Sequence, residues 1–482
     1  MTEPHREAGA GISTQNHERL ARGLHLPEVL MQCIAGMAPA ATIIFTIQFI
    51  AQFAGVAVPA TLLIALLIMT SLAYSLSQIA KELPSAGGYY TFVRRAIGPR
   101  AGMAVASVVF IWVLAPSMNT GFLSTVLQAQ VKQAYGLNVR WEFYFVVIIL
   151  VTGWLAYRGI AVSGKALLIL GALEIGVLLA IGLFGFASPG AGGVSLQALN
   201  PGAAHGGIYL AVVFALFFYA GWEGGAPIAE ESQDPKRTMP RALVGSVLGV
   251  GSVFVFCAWG VMSGWGSSDA AGFAKAADSP LITLAHHYWG PAWVVMVIAL
   301  FSSVCAIALA SILLITRMFY AMSRVGVFPH FLSTLHPTHK TPVWATRLSI
   351  MFSLVFGLVT GETLGPVTTF YIYGLTFTLL IILVYIAGNL AVYRYFRKQP
   401  AGRFKPFPHA ILPALTSVLM VYVGYKSLVP FPAYPVGAGV WVAVAWVVAA
   451  LIWIAVSGNR SSELDAVLID GVPMTNEGEN VV

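Results

Sequence analysis

Apolar residues run in long unbroken stretches along this chain, and polar residues gather in short gaps between them. The stretches lie near 29–54, 57–80, 101–131, 142–160, 162–187, 207–231, 239–265, 291–320, 342–360, 366–393, 408–429 and 435–457. A helix of about twenty apolar residues rises some 30 Å, the thickness of a bilayer's hydrocarbon core. The pattern therefore predicts an all-α membrane protein of about twelve transmembrane helices. The longest polar pieces are the N-terminal segment, the loops near 188–206 and 266–290, and a tail from Ser461 that is expected to be flexible. Two adjacent histidines, His286 and His287, are read as loop residues. The first 27 residues lack an apolar core or a small-residue cleavage site, so no removed signal peptide is expected.

Composition agrees with the pattern. Of 482 residues, 58% are hydrophobic and 9% charged, and the mean hydropathy is +0.81. A water-facing surface needs more polar side chains than that. Cys33, Cys257 and Cys305 all fall inside predicted spans, where they read as small buried hydrophobes rather than a disulfide framework or metal cluster. With the N-terminus inside and sides alternating, all but Lys132, Arg140, Lys275 and Lys426 of the 26 lysines and arginines fall at the cytoplasmic face. Both termini are therefore expected in the cytoplasm, with the protein multi-pass in the cell (inner) membrane. The net charge of +7 is a topological signature, and no solvated basic domain exists to bind nucleic acid.

Two spans are interrupted in the same way. The first carries "AGMAP" (Ala35–Pro39) and the sixth "AGWEGGAP" (Ala220–Pro227). Proline removes a backbone donor and clashes with the preceding turn, while glycine permits unwinding and close approach. Bare backbone groups at membrane depth survive only where they line a cavity or meet a ligand. The copies stand five helices apart in the order of spans, so they run in opposite directions. Paired breaks of this kind point to a carrier built from inverted repeats, with substrate at the breaks. A half-helix N-terminus favours an anion and unwound carbonyls accept from an ammonium, so a zwitterion suits the arrangement.

Ionisable residues at membrane depth are functional candidates because they are costly there. Glu223 stands in the second break, able to bind a cation, take a proton or brace the broken helix. Glu174 is the one ionisable residue deep in the fifth span and a candidate for proton coupling. Asn119 in the third span and Tyr371 in the tenth are polar positions that can reach a central cavity or bridge helices. In "EESQDPKRTMPR", which follows the second break, acids and bases can pair as a gate.

Four stretches carry a resemblance: "KELPSAGGYYTFVRRAIGP" (81–99), "FFYAGWEGGAPIAEESQDPKRTMPRAL" (217–243), "RMFYAMSRVGVFPHFL" (317–332) and "HKTPVWA" (339–345). Together they resemble the amino acid–polyamine–organocation transporters over nearly the whole chain. The resemblance implies two inverted five-helix repeats (28–187 and 207–398), two additional helices (408–457), a cytoplasmic N-terminal segment (1–27) and a cytoplasmic tail (458–482). It implies substrate contact at Ala35, Gly36, Met37, Ala40 and Ala41 in the first break, and at Ala220, Gly221, Trp222 and Glu223 in the second. Phe217 falls where relatives carry an aromatic lid. Glu174 takes the place of a lysine in proton-coupled relatives, and Ser311 is expected to face it. Where many members have Gly-Ser-Gly, this chain has Ala40, Ala41 and Thr42.

The function expected is secondary active transport of amino acids or related amines by alternating access, coupled to protons. Exchange without net ion coupling is the alternative. A channel would not require paired breaks. An embedded enzyme would need a nucleophile and base or a metal set, and neither HExxH, GxSxG nor a histidine deep within an apolar span is present. The expected partners are a small substrate, a proton and membrane lipid, with no cofactor and no metal.

Overall fold

The computed structural model describes residues 20–204, 207–276, 279–324 and 326–471, without the side chains of Val109, Ala134, Phe217 and residues 457–471. Every apolar run is helical. The first run forms α1 (Leu26–Met37) and α2 (Pro39–Ala54), the second α3 (Val58–Glu82). A short helix α4 (Tyr89–Ala96) precedes the third span, α5 (Pro99–Val109) and α6 (Ala115–Tyr135), joined by a tight turn at Phe110–Leu114. The fourth and fifth spans are α7 (Trp141–Tyr157) and α8 (Ile160–Ala187). The sixth is α9 (Ile208–Phe217) followed by a 3-10 segment, Trp222–Glu231. Then come α10 (Pro235–Trp265), two loop helices α11 (Ala270–Lys275) and α12 (Pro280–Trp289), and α13 (Val294–Arg324). The remaining spans are α14 (Val343–Leu364), α15 (Pro366–Arg397), α16 (Leu412–Leu428) and α17 (Ala438–Gly471). Among the described residues the only β pairing is two isolated bridges.

Local chemistry sets the boundaries. Pro39, Pro99, Pro235, Pro280 and Pro366 open helices, where the missing N–H is no loss. Gly136 and Gly266 end them at positive φ. Asp234 caps α10 by accepting from the Arg237 N–H at 3.3 Å.

Two expectations change. His286 and His287 are in the last turn of a helix, α12, with His286 stacked on Trp293 at 4.0 Å. Neighbouring histidines cannot share a helix face, but each can serve a different one. The tail from Ser461 begins helical, since α17 continues to Gly471 through helix-favouring Glu463, Leu464 and Ala466. Residues 1–19 and 472–482, in the N-terminal segment and tail, lie outside the described residues.

Each of the first four spans packs against the span five places later. α1 packs on Trp222–Glu231 and α2 on α9, α3 on α10, α6 on α13, and α7 on α14. In the first of these pairs the first half of one span meets the second half of the other, as two antiparallel segments must. The fifth and seventh spans, α8 and α10, meet through glycines. A Cβ on Gly260 would stand 2.2 Å from the Gly182 carbonyl oxygen, and one on Gly185 would be 2.0 Å from the Gly260 oxygen. Small residues let helix backbones touch where lipid offers no hydrophobic drive to associate. Gly260→Val should therefore lower the melting temperature of the purified protein by several degrees, equivalent to about 1–3 kcal/mol of overpacking. An unchanged melting curve would show that α8 and α10 do not approach this closely.

Candidate functional site

The two breaks are built against each other. Ala38 adopts left-handed backbone (φ 45°) between α1 and α2, and Gly221 (φ 104°) turns the chain between α9 and the segment beyond it. Gly36 and Gly221 touch backbone to backbone. A Cβ on Gly36 would lie 2.3 Å from the Gly221 oxygen, and one on Gly221 2.2 Å from the Gly36 oxygen. No other residue fits at either position without parting the helices. The Gln32 side-chain amide reinforces the junction by donating to the Ala310 carbonyl at 3.0 Å and the Gly224 carbonyl at 3.4 Å.

Breaking α1 from α2 frees the amides of the new helix N-terminus. Pro39 has none to free. The Ala40 N–H donates to Glu174 Oε2 at 3.1 Å, and the Ala41 N–H to Ser303 Oγ at 3.1 Å. Glu174 is fully buried on α8, its Oε1 without a hydrogen-bond partner. Ser303 thus occupies the place expected for Ser311, which lies eight residues, or about 12 Å, further along α13. Helical phase explains the difference, because eight residues turn a side chain by some 80° from where it began.

The second break is braced by its own acid. Glu223 Oε2 accepts from the Gly221 N–H at 3.2 Å and from the Tyr385 hydroxyl at 3.0 Å, while Oε1 is buried and unpaired. Tyr385 is the middle one of three neighbouring buried rings. The Trp222 ring is 6.3 Å from that of Tyr385, which is 6.1 Å from that of Tyr89, whose hydroxyl also has no partner.

The remaining expected residues divide. Ala35 and Met37 are buried, and their carbonyls accept from the Ala38 N–H and the Thr42 hydroxyl. Gly36, Ala220 and Gly221 keep part of their surface accessible. Asn119 donates to the Ala115 carbonyl of its own helix at 3.0 Å. Tyr371 stands fourteen residues before Tyr385 on α15, about 21 Å away along the axis. The Phe217 side chain lies outside the described residues.

Each end of the bundle is closed by different chemistry. At one end, Arg317 grips Glu231 through two bonds of 3.0 and 3.1 Å, both side chains sealed from solvent. Arg324 holds Glu230 at 2.7 and 3.0 Å, and Glu230 also accepts from the Ala86 N–H ahead of α4. The Gly23 and Leu24 amides donate to the Glu231 carbonyl. At the other end, Phe122 of α6 stacks on Phe370 of α15 at 4.4 Å and meets Phe45 of α2 edge-on at 5.8 Å. There Ser279 and Gln48 tie α2 to the loop bearing α11 and α12.

Comparison with known proteins decides what this architecture is. The profile of the family described as amino acid permease matches residues 28–462. The chain belongs to that family. Among its relatives, the low-affinity putrescine importer PlaP of Escherichia coli is 27% identical over 67% of this chain and 72% of its own length. The gamma-aminobutyric acid permease of Escherichia coli is 26% identical over 70% of this chain and 73% of its own. The branched-chain amino acid permease BcaP of Bacillus subtilis is 25% identical over 59% and 63%. The protein is a multi-pass membrane transporter for amino acids or amines, and not an enzyme.

Several residues of this permease's breaks escaped the reading of the sequence. Gln32 was visible as an amide inside an apolar run, a signal of interhelical bonding. Ser303 and Tyr385 were not visible, since serines and tyrosines recur along both spans. The glycine contact yields a paired test. Gly36→Ala should lower the melting temperature and abolish uptake. Gly224→Ala, whose Cβ would find its nearest atom 3.6 Å away, should fold normally. Equal behaviour of the two variants in a melting assay would refute the contact.

Proposed function

We propose that this permease works by alternating access coupled to protons, with its substrate at the paired breaks and the coupling proton on Glu174. The observation that carries the proposal is the Glu174 carboxylate on the amide of Ala40, with one oxygen unpaired in a sealed site. A carboxylate at a helix N-terminus is stabilised by the amide dipoles, by roughly 0.3–2 kcal/mol. A protonated carboxyl loses that attraction. Proton uptake therefore loosens the tie between α8 and α2, the half-helix beyond the first break. Ser303 of α13 meets the same helix end, so three elements respond to one proton.

The two closures favour alternation, because ion pairs at one end and stacked rings at the other can open independently. The pairing of each of the first four spans with the span five later favours two inverted five-helix repeats, 28–187 and 207–398, followed by two additional helices, 408–457. The distribution of lysine and arginine favours the Glu230–Arg324 end as cytoplasmic, with both termini there and the protein in the cell membrane. Relatives named for putrescine, gamma-aminobutyric acid and branched-chain amino acids favour a small amine or amino acid cargo.

Glu174→Gln tests the coupling. It keeps an acceptor for Ala40 but cannot exchange a proton. Uptake into proteoliposomes should become insensitive to an imposed pH gradient, while counterflow exchange, which moves no net proton, persists. A response to the gradient equal to that of the wild type would leave Glu174 as a structural cap.

A further inference from the structure

Where α5, α15 and α17 meet, the packing leaves a cleft of about 320 Å3. Its deep end is closed by the Trp446 indole, which donates to the Ser107 carbonyl at 2.8 Å and stacks on Phe110. From there the cleft runs about 10 Å along the helices, from Val108, Leu383 and Val447 to Ala101, Leu390 and Ile454. Ala104, Ala387 and Ala450 line its middle, and Ser107 is the one polar residue among those lining it. Small residues on facing helices let backbones touch, as Gly182 and Gly260 do, but here the helices stand apart. Apolar space that opens beside a bilayer is filled by hydrocarbon, not by water.

The mouth of the cleft is basic. Val93 of α4 and Ile97 just beyond it border the cleft, with Arg94 and Arg95 between them in the chain. Arg100 directly precedes Ala101, and Arg394 and Arg397 continue the α15 face of Ala387 and Leu390 beyond the cleft. Lys398 donates to the Ala96 carbonyl at 3.3 Å, which fastens the end of α15 to the end of α4. Arg95, Arg100, Arg394 and Arg397 are exposed, and among the described residues no ion pair holds them. The segments that carry them supply no partner, since no Asp or Glu lies between Glu82 and Glu142 or between Glu362 and Glu463. Glu230 accepts from the Ala86 N–H just ahead of α4, so the mouth lies at the Glu230–Arg324 end. A topological bias puts basic residues at that end in general, but it does not gather them from three segments around one apolar cleft.

We infer that this cleft binds one anionic phospholipid, with an acyl chain between α5, α15 and α17 and the phosphate among Arg95, Arg100, Arg394 and Arg397. Each basic side chain near the surface adds about 1 kcal/mol to the attraction for an anionic lipid. A zwitterionic lipid would fill the same space, but its headgroup would bring a cation to a cluster of guanidinium groups. The bound lipid joins α17, one of the two helices that follow the ten, to α5 and α15. The site is separate from both breaks and does not depend on how transport is driven.

The test uses the purified full chain, stripped of lipid in detergent, with phosphatidylglycerol and phosphatidylcholine of matched acyl chains. Native mass spectrometry should show one phosphatidylglycerol bound at least about tenfold more tightly than phosphatidylcholine. Arg100→Gln combined with Arg394→Gln should weaken phosphatidylglycerol binding by about tenfold or more, with the melting temperature in the absence of lipid unchanged. Arg100→Lys with Arg394→Lys keeps the charge and should retain most of the affinity. Ala104→Leu fills the cleft, leaves every arginine in place, and should weaken binding as well. Glycerol 3-phosphate, which has the phosphate without the chains, should not compete. Equal affinity for the two lipids would overturn the inference. So would unchanged phosphatidylglycerol binding in the glutamine pair or in Ala104→Leu, or displacement of the lipid by a second copy of the chain.

Discussion

A helix cannot break inside a bilayer unless the backbone groups it frees find partners within the protein, because lipid supplies none. This permease breaks two helices side by side and answers that demand with a small set of side chains. Glu174 and Ser303 take the amides at the start of α2, Glu223 takes the amide of Gly221, and Gln32 reaches the carbonyl of Gly224. The backbones of Gly36 and Gly221 then touch, which only residues without a Cβ allow. An acid is costly at membrane depth, and here each acid is held where a helix dipole offsets part of that cost.

The same bonds link the centre to both ends. α2 carries the amides bound by Glu174 and Ser303, and it also carries Phe45, whose ring meets the stack of Phe122 on Phe370. α1, on the other side of the break, follows closely on Gly23 and Leu24, whose amides bond the Glu231 carbonyl beside Arg317. The two half-helices at the first break thus lead to different ends of the bundle. Buried ion pairs such as Arg317–Glu231 are expensive to separate, whereas the half-exposed Arg324–Glu230 pair is less so, which orders the two within any opening at that end.

Much of this was legible before any coordinates. Runs of apolar residues longer than a bilayer requires located every span, and the echo between Ala35–Pro39 and Ala220–Pro227 located both breaks. Glu174 and Glu223 stood out because an acid at membrane depth is costly. What the sequence could not supply was rotation. In a soluble protein an apolar stripe shows which face of a helix turns inward, but here every face is apolar, so no stripe exists to read. Tyr371 and Tyr385 share one helix, as do Ser303 and Ser311, and nothing in their order along the chain says which of each pair meets the break. Nor could the order show that Ala40 and Ala41 spend their amides on Glu174 and Ser303, residues more than a hundred positions away. The sequence by itself determined where the chain crosses the membrane, where it must open and which charges it carries there. Only the tertiary structure, by setting the rotation and approach of packed helices, decided which side chain satisfies each freed backbone group and so which chemistry is left over for a substrate.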